Sequence, residues 1–138
     1  MGAKKRRKYV PRFIMLEHGL MDSPAFKSLR GDSIKLLMAV WKRHDGKNNG
    51  EISFSVRDAA QLIPCTPNTA GKRFDELQEK GFLAVEVKGA FRAAAKHKAA
   101  STWRLTLESC RGKPPTREYQ RWRPSESVSG DIKTGSKK

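Results

Sequence analysis

Asn68, Thr69, Lys72 and Arg73 bring an amide, a hydroxyl and two cations into six consecutive positions of the run TPNTAGKRFDELQEKG. An Asn amide matches the major-groove edge of adenine and an Arg guanidinium that of guanine, so these four side chains suit the reading of base edges. They need a helix to carry them, and the local signals predict one. Thr66 is a natural N-cap, and Pro67 falls at the first helical position, where its missing N–H costs nothing. Ala70, Phe74 and Leu77 recur at spacings of four and three and share one face. The four polar residues fall mostly on the other, towards the N-terminal end. Asp75, Glu76 and Glu79 come later, and Lys80-Gly81 supplies a C-terminal charge and a stop. A helix polar and basic at its start and acidic at its end suits entry into the major groove by its N-terminus. The plain alternative is a helical hairpin with a solvated face, and the flanking elements must decide.

A second helix is expected immediately before. Ser55 is its N-cap, Asp58 assists in the first turn, and Ala59, Ala60, Leu62 and Ile63 give it a small apolar surface. Pro64 biases Ile63 away from helical geometry and ends it. Upstream, Asp32 is read as the cap of a longer helix, Ser33 to His44, with Ile34, Leu37, Met38 and Trp41 at helical spacing. Met38 and Trp41 are read as core packing. Ser23-Pro24 opens a short helix to Leu29, whereas FIMLEHGL (13–20) is a strand or a helical turn. DGKNNG (45–50) is a loop and EISF (51–54) a short strand. FLAVEV (82–87) and TWRLTL (102–107) alternate as strands, the second with Trp103, Leu105 and Leu107 on one face.

The chain has 138 residues, a formal net charge of +15 and a pI near 10.3, which points to a polyanionic partner, most often nucleic acid. A membrane surface is disfavoured, because no long amphipathic helix carries a bulky apolar face beside its lysines. No run of about twenty apolar residues exists, and no apolar stretch follows the basic N-terminus as a signal peptide requires. A cytoplasmic, nucleoid-associated protein is expected. Cys65 and Cys110 lie 45 positions apart without a CxxC and are expected as reduced thiols. His18, His44 and His97 are scattered, so no metal site, cofactor or small-molecule substrate is expected. Nor is there a nucleophile turn, a paired carboxylate site or a phosphate loop, since GKNNG lacks the Lys-Ser/Thr ending. The expectation is not an enzyme.

Between the last two strands, KGAFRAAAKHKAAS (88–101) carries Lys88, Arg92, Lys96 and Lys98 and no acid. As the loop of a hairpin it would rest on phosphates; its alanines also suit a solvated loop or a short helix. The element order is helix, helix, short strand, helix, turn, helix, strand, basic loop, strand. The fold class expected is mainly α with a small β-hairpin, a winged helix-turn-helix. On the opening FIML…GLMDSPAFKSL, the loop and strand GKNNGEISFS, the helix TPNTAGKRFDELQEKGFL and the strand STWRLTLE, residues 9–108 resemble the winged-helix proteins of bacterial phages, plasmids and mobile elements. Replication-initiator N-terminal domains are among these. The resemblance implies the fold and DNA binding, and leaves open which DNA-directed task is performed.

Three parts are expected. Residues 1–12 hold Lys4, Lys5, Arg6, Arg7, Lys8 and Arg12 without an acid, as a solubilising tail or a flexible arm on phosphates or in a minor groove. Residues 13–108 form the winged-helix domain, with fifteen basic and eleven acidic residues. Residues 109–138, with eight basic and three acidic residues, form a largely disordered tail containing PTREYQRWR (115–123). There Tyr119 and Trp122 suit packing or partner contact, or stacking on bases. The expected function is sequence-specific binding of double-stranded DNA, by a transcriptional regulator or a replication or recombination accessory factor. Asn68, Thr69, Lys72 and Arg73 would read bases. Thr66, Lys88, Arg92, Lys96, Lys98 and the N-terminal basics would hold phosphates, and a homodimer or cooperative assembly on DNA is compatible. The alternative is a basic RNA-binding or ribosome-associated module, or a protein-interaction adaptor.

Overall fold

The computed structural model describes residues 11–87 and 100–124, which form five α-helices, a three-stranded antiparallel sheet and a 3-10 turn. The helices are α1 (His18–Asp22), α2 (Pro24–Lys27), α3 (Gly31–Lys42), α4 (Val56–Leu62) and α5 (Pro67–Glu79). The strands are β1 (Ile52–Ser53), β2 (Leu83–Val87) and β3 (Thr102–Leu105). This is the mixture of helices and a small sheet that the sequence pattern predicts. From Pro11 to Glu17 the chain is neither helix nor strand; the apolar opening becomes helical only at His18.

The local signals act where they stand. Ser23 Oγ accepts from the Phe26 N–H at 3.3 Å and starts α2. The central helix begins two residues earlier than expected, with Arg30 as a cap that makes no side-chain bond, and ends at Lys42. Asp32, read as its cap, lies inside the first turn, where its charge favours the positive end of the helix. The 45–50 loop is tied by Asp45, which accepts from the Lys47 N–H at 2.8 Å and the Asn48 N–H at 2.9 Å. These bonds hold its carboxyl below the usual range, against the opposing effect of desolvation.

Strand order is β1-β3-β2, with Ile52 opposite Trp103 and Leu83 opposite Leu105. A bulge at Glu86 interrupts the β2–β3 ladder between Val85 and Val87. Asn49 sews the loop to the end of β3: its buried amide donates to the carbonyls of Leu105, Glu108 and Ser109, and its oxygen accepts the Leu105 N–H at 2.6 Å. The strand stops at Leu105 rather than Leu107. The Thr106 hydroxyl donates to the Gly81 carbonyl at 2.7 Å and turns the chain.

Leu36, Leu37, Val40 and Trp41 of α3, Ala70, Phe74 and Leu77 of α5, and Trp103 and Leu105 of β3 meet in one core. Phe74 stacks on Trp103, their rings 4.6 Å apart and nearly parallel.

The domain does not end at residue 108. Tyr119, in the 3-10 turn Glu118–Arg121, is 1% exposed and stacks on Phe82 at 5.2 Å. Arg104 reaches Glu86 and Glu118 at 3.1 and 3.5 Å, and Arg117 pairs with Glu17 at 3.1 Å. A Pro- and Gly-punctuated composition reads as disorder, but one large aromatic ring buried on an existing core ties the segment down. Of the two roles expected for Tyr119, its ring takes the packing one in this fold. Trp122 is half-buried against the same core, with the Lys80 ammonium 5.1 Å from its ring.

Among the described residues no helix is long and apolar enough to cross a membrane, and no three His, Cys, Asp or Glu side chains gather as a metal site. Cys65 and Cys110 are free cysteines.

Candidate nucleic-acid interface

Helices α4 and α5 pack on one another across a turn of only a few residues, and α5 also packs on α3. The first helix opens on a capping box. The Asp58 N–H donates to Ser55 Oγ at 3.0 Å, and the Ser55 N–H returns a bond to the Asp58 carboxylate at 3.3 Å. Ile63 adopts φ −113° and ψ 99°, the extended geometry that Pro64 imposes, and the helix stops at Leu62. Thr66 then caps α5, its Oγ1 accepting from the Thr69 N–H at 3.2 Å, with Pro67 in the first turn.

Because Ala70, Phe74 and Leu77 are all buried, the orientation of α5 about its own axis is fixed. Asn68 and Lys72, four apart, are exposed and make no side-chain hydrogen bond or ion pair with the described residues. Thr69 is half-buried, and its hydroxyl engages that of Thr66 at 3.2 Å. Thr66 is exposed but occupied by the cap.

Arg73, expected beside Asn68, Thr69 and Lys72 as a base reader, is placed differently. Its side chain is only 12% exposed, and its nearest carboxylate is Glu76, at 3.8 Å. Its Nε is buried without a hydrogen-bond partner. The three-residue spacing that puts Arg73 beside Glu76 also turns it towards the flank facing α3, away from the Asn68–Lys72 face. Glu76 is the centre of that flank. It accepts from Ser33 Oγ at 2.5 Å, from the Arg30 N–H at 3.3 Å and from the Lys80 ammonium at 3.1 Å. Desolvation works to raise its pKa, but the hydrogen bonds from Ser33, Lys80 and Arg30 outweigh it and hold the carboxyl below its ordinary value.

Of the cations expected on phosphates, Lys4, Lys5, Arg6, Arg7 and Lys8, and Lys88, Arg92, Lys96 and Lys98, lie outside the described residues. Arg57 is a further exposed cation beside this face, not among those expected from sequence. It stands in the first turn of α4, is exposed, and pairs with no described carboxylate. Its signal was available: a cation four positions before the exposed Gln61, on the helix that precedes α5.

Comparison with known proteins finds no match to a protein-family model, a curated protein or a solved structure.

Proposed function

We propose that this chain binds double-stranded DNA with sequence preference through α4 and α5, as a transcriptional regulator or a replication or recombination accessory factor. One observation carries the reading. The apolar stripe of α5 is locked into the core, so Asn68 and Lys72 are presented together, unpaired among the described residues, at its N-terminal half. An amide and an ammonium one turn apart match adjacent base edges in the major groove. The winged-helix arrangement belongs to the same proposal: β2 and β3 form an antiparallel pair directly after α5, and the residues joining them hold four cations. Those cations, with Arg57 and the basic N-terminus, would grip phosphates without reading sequence. The net charge of +15 supports a polyanionic partner.

The test is selection of bound sites from random duplex DNA, followed by competition with structured RNA. An enriched motif that RNA displaces poorly is the expected result. Displacement from every duplex by RNA, with no sequence enriched, would place the protein with RNA-binding modules and overturn the proposal.

A further inference from the structure

A second surface has a different chemistry. Between the 12–14 segment, α3 and α4 lies an open groove of about 950 Å³. Its walls are apolar, formed by Ile14, Met38, Ala39, Trp41, Phe54 and Leu62. Phe13 stands at its lip, 71% exposed, with Met15 beyond it at 66%. Large apolar side chains clustered in the open around a groove mark an interaction site more often than an inert surface.

The rim selects among occupants by charge. Arg12, Lys35 and Lys42 border the groove and are exposed; Lys35 and Lys42 pair with no described carboxylate, and the Arg12 guanidinium donates to the His44 carbonyl at 2.8 Å. Its two carboxylates are already engaged: Asp58 with Arg43 at 3.5 Å, and Glu108 with the Trp41 indole N–H at 2.7 Å. The Nε2 of His44, another lining residue, is buried without a hydrogen-bond partner. An apolar floor under a rim with more cations than carboxylates fits an occupant with bulky apolar side chains and negative charge. A nucleic-acid backbone would leave the floor unused. The chain's own N-terminus, with five cations in positions 4–8, has the wrong sign for the rim, and a second copy at +15 is repelled. The groove is too open to enclose a small metabolite.

We propose that this groove docks an acidic, apolar segment of a partner protein, on the side of α4 that faces α3 and clear of α5. No lining residue belongs to α5, and α4 contributes Asp58, Gln61 and Leu62 rather than Arg57, so the partner can be held while α5 is engaged. A DNA-bound chain would thereby recruit a second protein through a short acidic peptide.

The test uses the full chain and a fluorescent synthetic peptide of about fifteen residues, roughly four helical turns, with Leu and Phe on one face and Glu on the other. Saturable binding that weakens with salt is expected, with amide shifts at Ile14, Ala39 and Leu62. A peptide with Lys for every Glu should not bind. The Lys35→Glu/Lys42→Glu variant changes only exposed side chains and should weaken the acidic peptide by at least ~10-fold, consistent with paired charges at a rim. Ala39→Glu, checked for folding by its thermal transition, should do the same while leaving duplex affinity within about two-fold, as a substitution remote from the DNA contacts does. Undiminished peptide binding by both variants would overturn the proposal. So would shifts confined to α5, complete competition by duplex DNA, or self-association that fills the groove. Loss of DNA binding alone would leave these readouts intact, so the two proposals fail separately.

Discussion

At the residue scale, the division of labour along α5 depends on which side of the helix each polar group occupies. Asn68 and Lys72 are exposed without described partners, whereas Arg73 lies against the flank built around Glu76. Asn68→Ala should therefore erase discrimination at one base pair of the selected site, a loss of about 1–3 kcal/mol read from a panel of single-base variants. Arg73→Ala should leave that panel unchanged. A preference that shifts with Arg73 and not with Asn68 would mean that the arginine swings out to read DNA and the amide does not. The caps at Ser23, Ser55 and Thr66 were legible in the sequence because each bonds a backbone N–H three positions on. The placement of Arg73 was not, because it follows Glu76, which is fixed by Ser33 and Arg30, 43 and 46 positions before it. Composition and period report a helix face, but not which neighbour a particular flank will meet.

At the scale of elements, two contacts decide how firmly α5 is held. Glu76 fastens α5 to the start of α3, and its folded-state pKa is lowered by the bonds it accepts. A lowered carboxyl pKa contributes stability that is present above the unfolded value and is lost as pH falls through the folded one. Glu76→Gln should cost about 1–2 kcal/mol near neutral pH, since charge-assisted bonds become neutral ones. Its denaturant midpoint should then fall less steeply than that of the parent chain below about pH 5. Parallel acid limbs for the two proteins would remove Glu76 from the account. The second contact is at Gly81, read from sequence simply as a helix stop. It has φ +89°, and a Cβ there would come within 2.6 Å of the Tyr119 backbone nitrogen. Gly81→Ala should therefore cost more than about 2 kcal/mol in urea unfolding, backbone strain and a clash together. Gly46→Ala is the control: its φ is +96° with nothing within 4 Å, so only the strain of about 1 kcal/mol applies. Equal losses would show that the 118–119 segment gives way freely. The positive φ of a helix-ending glycine is legible in sequence; its second use, as the floor for a segment almost forty positions later, is not. Within the tail 109–138, expected to be largely disordered, the packing suggested by Tyr119 and Trp122 is legible, but not the site on Gly81 and Phe82 that receives it.

For the whole molecule, charge and shape are divided unequally. Residues 11–87 and 100–124 hold seventeen basic and twelve acidic side chains, a net +5 of the total +15. The remaining +10 falls in residues 1–10, 88–99 and 125–138. Within the proposed DNA-binding function, the part that presents Asn68 and Lys72 is only mildly basic, and most of the electrostatic attraction comes from its ends and from the residues joining β2 to β3. Choice of site and strength of grip should then respond to different substitutions. Replacing Lys4, Lys5, Arg6, Arg7 and Lys8 together with Gln should lower the slope of log K against log salt concentration by up to about 4.5, at roughly 0.9 per phosphate neutralised. Lys96→Ala should lower it by about one, with both variants keeping the base preference of the parent. Asn68→Ala should behave in the opposite way, with the slope intact and the preference relaxed at one position. The measurement is affinity for the selected duplex and for a scrambled one across a salt series. An unchanged slope in the five-fold variant would move the grip to cations of the folded part, Arg57 first among them. A changed preference would make the N-terminal basic run a reader in its own right.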